Sequence, residues 1–472
     1  MRLRAAAAVG FWLILLAALV QGLAGLHTRA DTAPSTLMAP VIFTAAPAYD
    51  SLAALRGEER FPHGAQLMVL RDGHKAPLTP GFAASADASV SFDAKTLLFA
   101  GKKSIADRWG IWEVALDGEP PRLVRAGTTD LIRPMWMPDG RMVYARRTPA
   151  GFALETAGLD GRGVLRLTYL PGNFVPDDVL SDGRVLFESG FPLGAGGTPE
   201  MFLVYADGSG VESVRCDHPE AASAGREHGR QLSSNSRVAR SADIVFTHGE
   251  RLARFTSALA AEAPIAAPAG SYSGDVAELP SGQWLLSMRK PGEKHFALAV
   301  WKPGAVASTM LARDVERDLV EPVVVAPRAI PNRHPSALHD WAYGNLLALD
   351  ARQSRHGALS GIPVLVRAET LGADGQVVAL GTAPVEKDGS FFVQATGDRP
   401  LRFILLDQAG KTLREEQGWF WVRRGEQRIC VGCHTGPERA PENRVPEVLL
   451  RTTTPVDLTG GAAAGRAAAG DH

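Results

Sequence analysis

Cysteine is nearly missing from this chain: there are three in 472 residues. Three thiols cannot build a disulfide framework, so packing must hold the fold together. An excess of charge of either sign is missing as well. Fifty Lys and Arg face 51 Asp and Glu, spread along the chain, for a net charge of −1. That balance leaves no basic patch to grip a nucleic acid, which is excluded as a partner. Phosphate-cradling loops, a nucleophile–base triad and paired carboxylates are not found, so hydrolase and kinase readings have no footing. Between residues 64 and 330 no convincing amphipathic helix occurs, and no methionine follows His434.

Long hydrophobic runs are also scarce, with one exception at the start. "MRLRAAAAVGFWLILLAALVQGLAGLHTRA" carries two arginines and then an uncharged, mostly apolar run from Ala5 to Leu26. This is the charged and apolar plan of an export signal, and the run is also long enough to span a bilayer. The expectation is an exported, periplasmic protein, soluble after cleavage or tethered by a retained N-terminal helix over residues 1–30. That helix is the one route to a membrane.

What is abundant is a repeat. "AQLMVLRDGHKAPLT", "WGIWEVALDGEPPRLV", "GFALETAGLDGRGVLRLT" and "EMFLVYADGSGVESVR" each read as a strand, an Asp-Gly turn and a second strand. Asp-Gly tolerates the positive φ that a tight hairpin needs. A second pattern accompanies the first, as in "ADASVSFDAKTLLFAG", "IRPMWMPDGRMVYARR" and "PDDVLSDGRVLFESG". The roughly 40- to 50-residue period is that of a four-stranded propeller blade. A mainly β fold is therefore expected, with a roughly six-bladed β-propeller over 64–330 after an extension over 31–63. Met135 and Met137 fall in strands and read as core.

"PRAIPNRHPSALHDWAYG" breaks the pattern and opens a linker over 331–355. Strands and tight turns resume over 356–425 and predict a small β-sandwich. An irregular segment follows over 426–450. The Ala/Gly-rich tail over 451–472 has the composition of disorder.

Two of the three cysteines stand in "RRGEQRICVGCHTGPERAPENR", as Cys430 and Cys433, with His434 directly after. Cys-x-x-Cys-His is the attachment pattern of c-type haem. Two thiols form thioethers with the two vinyl groups, and the adjacent imidazole reaches the iron as proximal ligand. A structural disulfide between Cys430 and Cys433 is the competing reading; it leaves His434 without a role. A thioredoxin-like pair needs a strand-to-helix setting that this segment lacks, and a zinc knuckle needs further local ligands. With no methionine downstream, a sixth iron ligand must come from the β-domains or be absent. The candidates are Cys216, His218 and His228, in the insertion "SVRCDHPEAASAGREHGRQL", as distal or second-metal ligands. His334, His339 and Tyr343 in the linker are further candidates. Trp419 and Trp421 can wall a haem pocket or simply fill the sandwich core.

The order of export signal, propeller, small β-domain and "WFWVRRGEQRICVGCHTGPERAPENRVP" resembles the hydrazine synthase alpha-subunit family. The resemblance implies one haem c at Cys430 and Cys433, with His434 on iron or diverted to a neighbouring zinc, and a role for Cys216 on that zinc. It also implies that the propeller is the family's middle domain. The family's alpha subunit carries two haem attachment sites, whereas this chain has one. The family also uses a tyrosine after the motif as iron ligand, and "HTGPER" offers none. Hydrazine synthesis is therefore not implied. The expectation is a monohaem protein for electron transfer or redox sensing, with the propeller docking a redox partner protein or small molecule. The alternatives are a haem enzyme acting on a small nitrogen or oxygen species, and a haem-free exported binding propeller.

Overall fold

The computed structural model describes residues 39–460 apart from 191–199, 215–232, 240–241, 258–259, 261, 354–357, 373, 417 and 433–442. The N-terminal run from Ala5 to Leu26 lies outside the described residues. Among those described, the helices are a 3₁₀ turn at Ala54–Arg56 and a short α-helix at Glu447–Arg451. No helix among them is long and apolar enough to cross a membrane.

Most of the rest is antiparallel hairpins, for the reason the repeat suggests. Asp72 and Gly73 sit at φ 50° and 77° between Arg71 and His74, which face each other across the turn. Both turn positions need positive φ, and the Asp-Gly pair supplies it. Among the described residues such hairpins build six successive sheets, five with four strands and the sixth with five. The second runs from Ala84–Val90 to Arg122–Arg125, the third from Leu131–Trp136 to Leu165–Arg166, and the fourth from Phe174–Val179 to Glu212–Ser213. The fifth runs from Ser233–Val238 to Ala263–Pro264 and the sixth from Ser271–Tyr272 to Thr309–Ala312. From the second sheet to the fifth, the first strand of each lies beside that of the next, and Asp318–Val324 lies beside Ala84–Val90, which gives a propeller-like arrangement.

The first sheet corrects one expectation. Val41–Ala46, expected within an extension over 31–63, is a fully buried strand that pairs with Gln66–Arg71 on one side and Asp318–Val324 on the other. The two ends of the array thus meet in one sheet. Nothing local in "VIFTAA" signals this, because the partner strand lies far along the chain.

Beyond residue 330 the sandwich is larger than expected. Its two four-stranded sheets take in Tyr343–Ala348 from the expected linker, Gln427–Cys430 from the expected haem segment and Val456–Asp457 from the expected tail. The last two are short strands added in parallel to the same sheet. Two- to four-residue strands carry too little alternation to be read locally. Val366, Ala368, Phe391, Val393, Leu405 and Val422 are among the side chains that fill the sandwich core.

Candidate functional site: the strand that ends at Cys430

Cys430 closes the strand Gln427–Cys430, which pairs in parallel with Asn345–Ala348; Cys430 lies opposite Ala348. The Leu349 amide donates to the Cys430 carbonyl at 2.9 Å. Alternation along the strand sends Arg428 and Cys430 to one side and Ile429, which is exposed, to the other. The thiol is free and half-buried. Burial pushes its pKa up, and the guanidinium of Arg428, hydrogen-bonded to it, works against that rise.

A tight turn aims this strand. Arg423 accepts at its carbonyl from the Glu426 amide at 3.1 Å, and the Gly425 amide donates to the Tyr343 carbonyl at 2.7 Å. Gly425 has φ 77°, and a Cβ there would lie 1.8 Å from the His339 carbonyl oxygen. Only glycine satisfies both demands.

The run from Trp421 to Arg428 docks on the loop 205–211 of the fourth sheet. Trp421, 1% exposed, sits in the propeller-side core beside Tyr169 and donates Nε1–H to the Gly208 carbonyl at 2.9 Å. Arg423 donates to the Asp207 carbonyl at 2.8 Å, to Tyr169 and to Asp398. Glu426 accepts the Gly210 amide at 3.1 Å and the Arg423 amide at 2.7 Å. Arg428 donates to the Val211 carbonyl at 2.6 Å and lies over the Phe420 ring. Buried polar groups at a junction call for partners; Trp421, Arg423, Glu426 and Arg428 each have one, whereas Asp207 Oδ2 and Asn345 Oδ1 find none among the described residues.

This arrangement decides several sequence-level expectations. Trp421 belongs to the propeller-side core rather than to the sandwich core, and Trp419 packs against the same cluster with Arg402 over its ring. Met137 is core, and Met135 packs against it. His334 stacks on Tyr205 at 3.8 Å, His339 on Trp341 at 4.3 Å, and Trp341 on Tyr343 at 5.4 Å. These rings pair with one another, and the His339 backbone braces Gly425. Cys433 and His434 lie outside the described residues, as do Cys216, His218 and His228. The contacts of Arg423, Glu426 and Arg428 were not legible in the sequence, because their partners are backbone groups some 215 positions away.

The residues present fit a covalently held porphyrin at one testable point. The first thiol of the motif is free and held at the end of a paired strand.

Residues 367–435 match the family described as the hydrazine synthase alpha subunit middle domain. That segment is similar to the hydrazine synthase alpha subunit middle domain. The matched segment spans the greater part of the sandwich and the whole Cys-x-x-Cys-His motif. The family's middle domain is thus this unit and not the propeller, which corrects the expectation drawn from the resemblance. In fold, the chain is similar to Kuenenia stuttgartiensis hydrazine synthase, with a TM-score of 0.73 at 17% identity, covering 88% of this chain and 71% of that one. TolB from Acinetobacter baumannii matches at 14% identity and a TM-score of 0.43, over 62% of this chain and 68% of that one. No curated protein matches the sequence.

Proposed function

We propose that this chain is an exported, periplasmic monohaem c-type protein of the hydrazine synthase alpha-related type that transfers electrons or senses redox state, with a six-bladed propeller as the docking platform for a redox partner. The observation that carries this reading is the middle-domain match, which spans Cys430, Cys433 and His434. Bound haem supplies a reversible one-electron change at its iron. The chain's own residues do the rest. The S–H bonds of Cys430 and Cys433 add across the two vinyl groups, so no oxidant is consumed. His434 offers a ring nitrogen to the iron or to a zinc. The Arg428 and Glu426 contacts fix the first thiol against the fourth sheet, whose last described residue before the Cys216 insertion is Val214. From there Cys216 follows after one residue, near enough along the chain to serve that zinc, with His218 and His228 behind it.

A second reading has one observation in its favour, the fold shared with a synthase. On that reading the iron keeps an open position and acts on a small nitrogen or oxygen species. One experiment addresses both. A pyridine haemochrome spectrum, with resting and reduced spectra, is taken on full-length protein matured with a cytochrome c assembly system. One covalent haem per chain in a low-spin, six-coordinate state is the expected result. High-spin iron that binds carbon monoxide on reduction favours the enzyme, and absence of covalent haem overturns both.

A further inference from the structure

The inner strands of the six sheets bring a second set of ionisable groups together, far in sequence from the haem motif. Asp87, Arg133, Asp177 and Glu321 come from strands of four different sheets and Arg237 from a fifth, while Asp275 lies between Ser271–Tyr272 and Ala277–Glu278 of the sixth. Four of the six sit at φ between 50° and 61°: Arg133, Asp275, Glu321 and Asp87. A strand kinked by a bulge re-aims the side chain at the kink. Here the kinks turn charged groups inward, and all five from Asp87 to Glu321 are buried.

The contacts are ionic. Arg60, from the loop after the first strand, donates to Asp87 at 2.6 Å and to Glu321. Arg133 reaches Asp177 at 3.2 Å, Asp275 at 3.4 Å and Glu321 at 3.5 Å. Arg237 pairs with Asp275. Among the described residues of this set four carboxylates face three guanidiniums, an excess of one negative charge in a buried setting, which is costly unless neutralised. The Asp275 Oδ2 atom, moreover, finds no hydrogen-bond donor among the described residues. Among those residues no three His, Cys, Asp or Glu side chains are grouped to hold a metal ion. The smallest cation that can balance the set is a proton.

We infer that the axis of the six sheets is a proton-binding site centred on Glu321, with Asp275 as the neighbouring acceptor, and that it makes closure of the first sheet pH-sensitive. Glu321 stands on Asp318–Val324, the strand that closes that sheet. Its carboxyl is pushed up to about 7, first by burial and then by Asp275 and Asp87, against the pull of Arg60 and Arg133. Tyr49, which also faces the group, is held protonated by burial and by Glu321. Arg60 and Asp87 line a small recess that also includes Glu59, Trp109 and Arg147. The site operates with or without haem.

The sign follows from linkage. A carboxyl whose pKa is higher folded than unfolded stabilises the fold fully below its unfolded pKa and loses that contribution as pH rises through about 7. Urea unfolding of the full chain between about pH 5 and about pH 8 should show the unfolding constant of the native sequence rising by about tenfold to a hundredfold beyond that of Glu321→Gln. Asp275→Asn, which removes the surplus charge, should move the midpoint of this change down towards the ordinary carboxylate range. A protonated-carboxyl infrared band should fade as pH passes neutrality, and it should be absent from Glu321→Gln. Parallel pH slopes for the native sequence and Glu321→Gln would overturn the inference. Stabilisation by magnesium or calcium at about pH 8, lost in Glu321→Gln, would also overturn it by assigning the charge to a metal. If Glu321→Gln does not fold, an unmoved midpoint in Asp275→Asn does the same.

Discussion

Arg428 donates to the carbonyl of Val211 at 2.6 Å, tying the strand that ends at Cys430 to the end of the fourth sheet. The bond joins two segments more than two hundred residues apart and places the first haem-motif thiol on the side of the sandwich that faces the propeller. Several expected outcomes depend on this junction.

Trp421→Ala should destabilise the protein by about 3–5 kcal/mol, since it empties a fully buried aromatic site and orphans the Gly208 carbonyl. Trp421→Phe keeps most of the packing and should cost about 1 kcal/mol for the lost hydrogen bond. Denaturant unfolding of the two variants checks the ranking. Equal losses would mean that the indole N–H, not its bulk, holds the junction.

Gly425→Ala should lower covalent haem per chain although the Cys-x-x-Cys-His motif is intact. The added methyl meets the His339 carbonyl, and the backbone there needs positive φ. Haem absorbance per protein, measured on the soluble fraction, reads the effect. Full occupancy would show that the turn does not position the strand.

Replacing the motif cysteines singly should leave one thioether and shift the haemochrome band to the red, because one vinyl group stays conjugated with the ring. Cys430→Ala and Cys433→Ala should behave alike, and the double variant should hold no covalent haem. A disulfide-only role for the pair predicts no haem band in any of them.

Asp388 governs the acid limit. Serine, a backbone amide and Arg444 bond its carboxylate and lower its pKa to about 2 against the opposing effect of burial. Its contribution is present above the ordinary carboxylate pKa and is lost as pH falls from about 4 towards about 2. Asp388→Asn should therefore flatten the stability profile in that window and leave neutral stability lower. An unchanged acid transition would assign acid lability to other carboxylates.

Much of the fold was legible in the sequence because each sheet is built from neighbours along the chain. Asp72-Gly73 announces its hairpin in two letters. Val41–Ala46 could not be assigned in the same way, since its second partner is Asp318–Val324 and only closure reveals the pairing. The axial charges were missed for a related reason. Asp87, Arg133 and Asp275 each stand six positions before the second residue of a turn or its equivalent, namely Asp93, Asp139 and Ser281. That spacing was a usable signal, but a charged residue inside an apolar strand reads as surface unless a bulge is foreseen. At the candidate site, residue type and spacing pointed to Cys430, Cys433 and His434, of which Cys430 lies among the described residues. The backbone carbonyls that hold Arg423 and Arg428 have no sequence signature at all.

The meeting of residues 41–46 with residues 318–324 also sets a timetable. A chain made from its N-terminus carries one apolar strand with an open edge until more than 270 further residues exist. Contacts of such long separation form late and slowly, and an open edge invites pairing with other chains. Truncation before residue 318 should therefore aggregate rather than yield a smaller stable ring. Cys430 is made later still, so the order of synthesis favours closing the ring before the haem-motif thiols are in place.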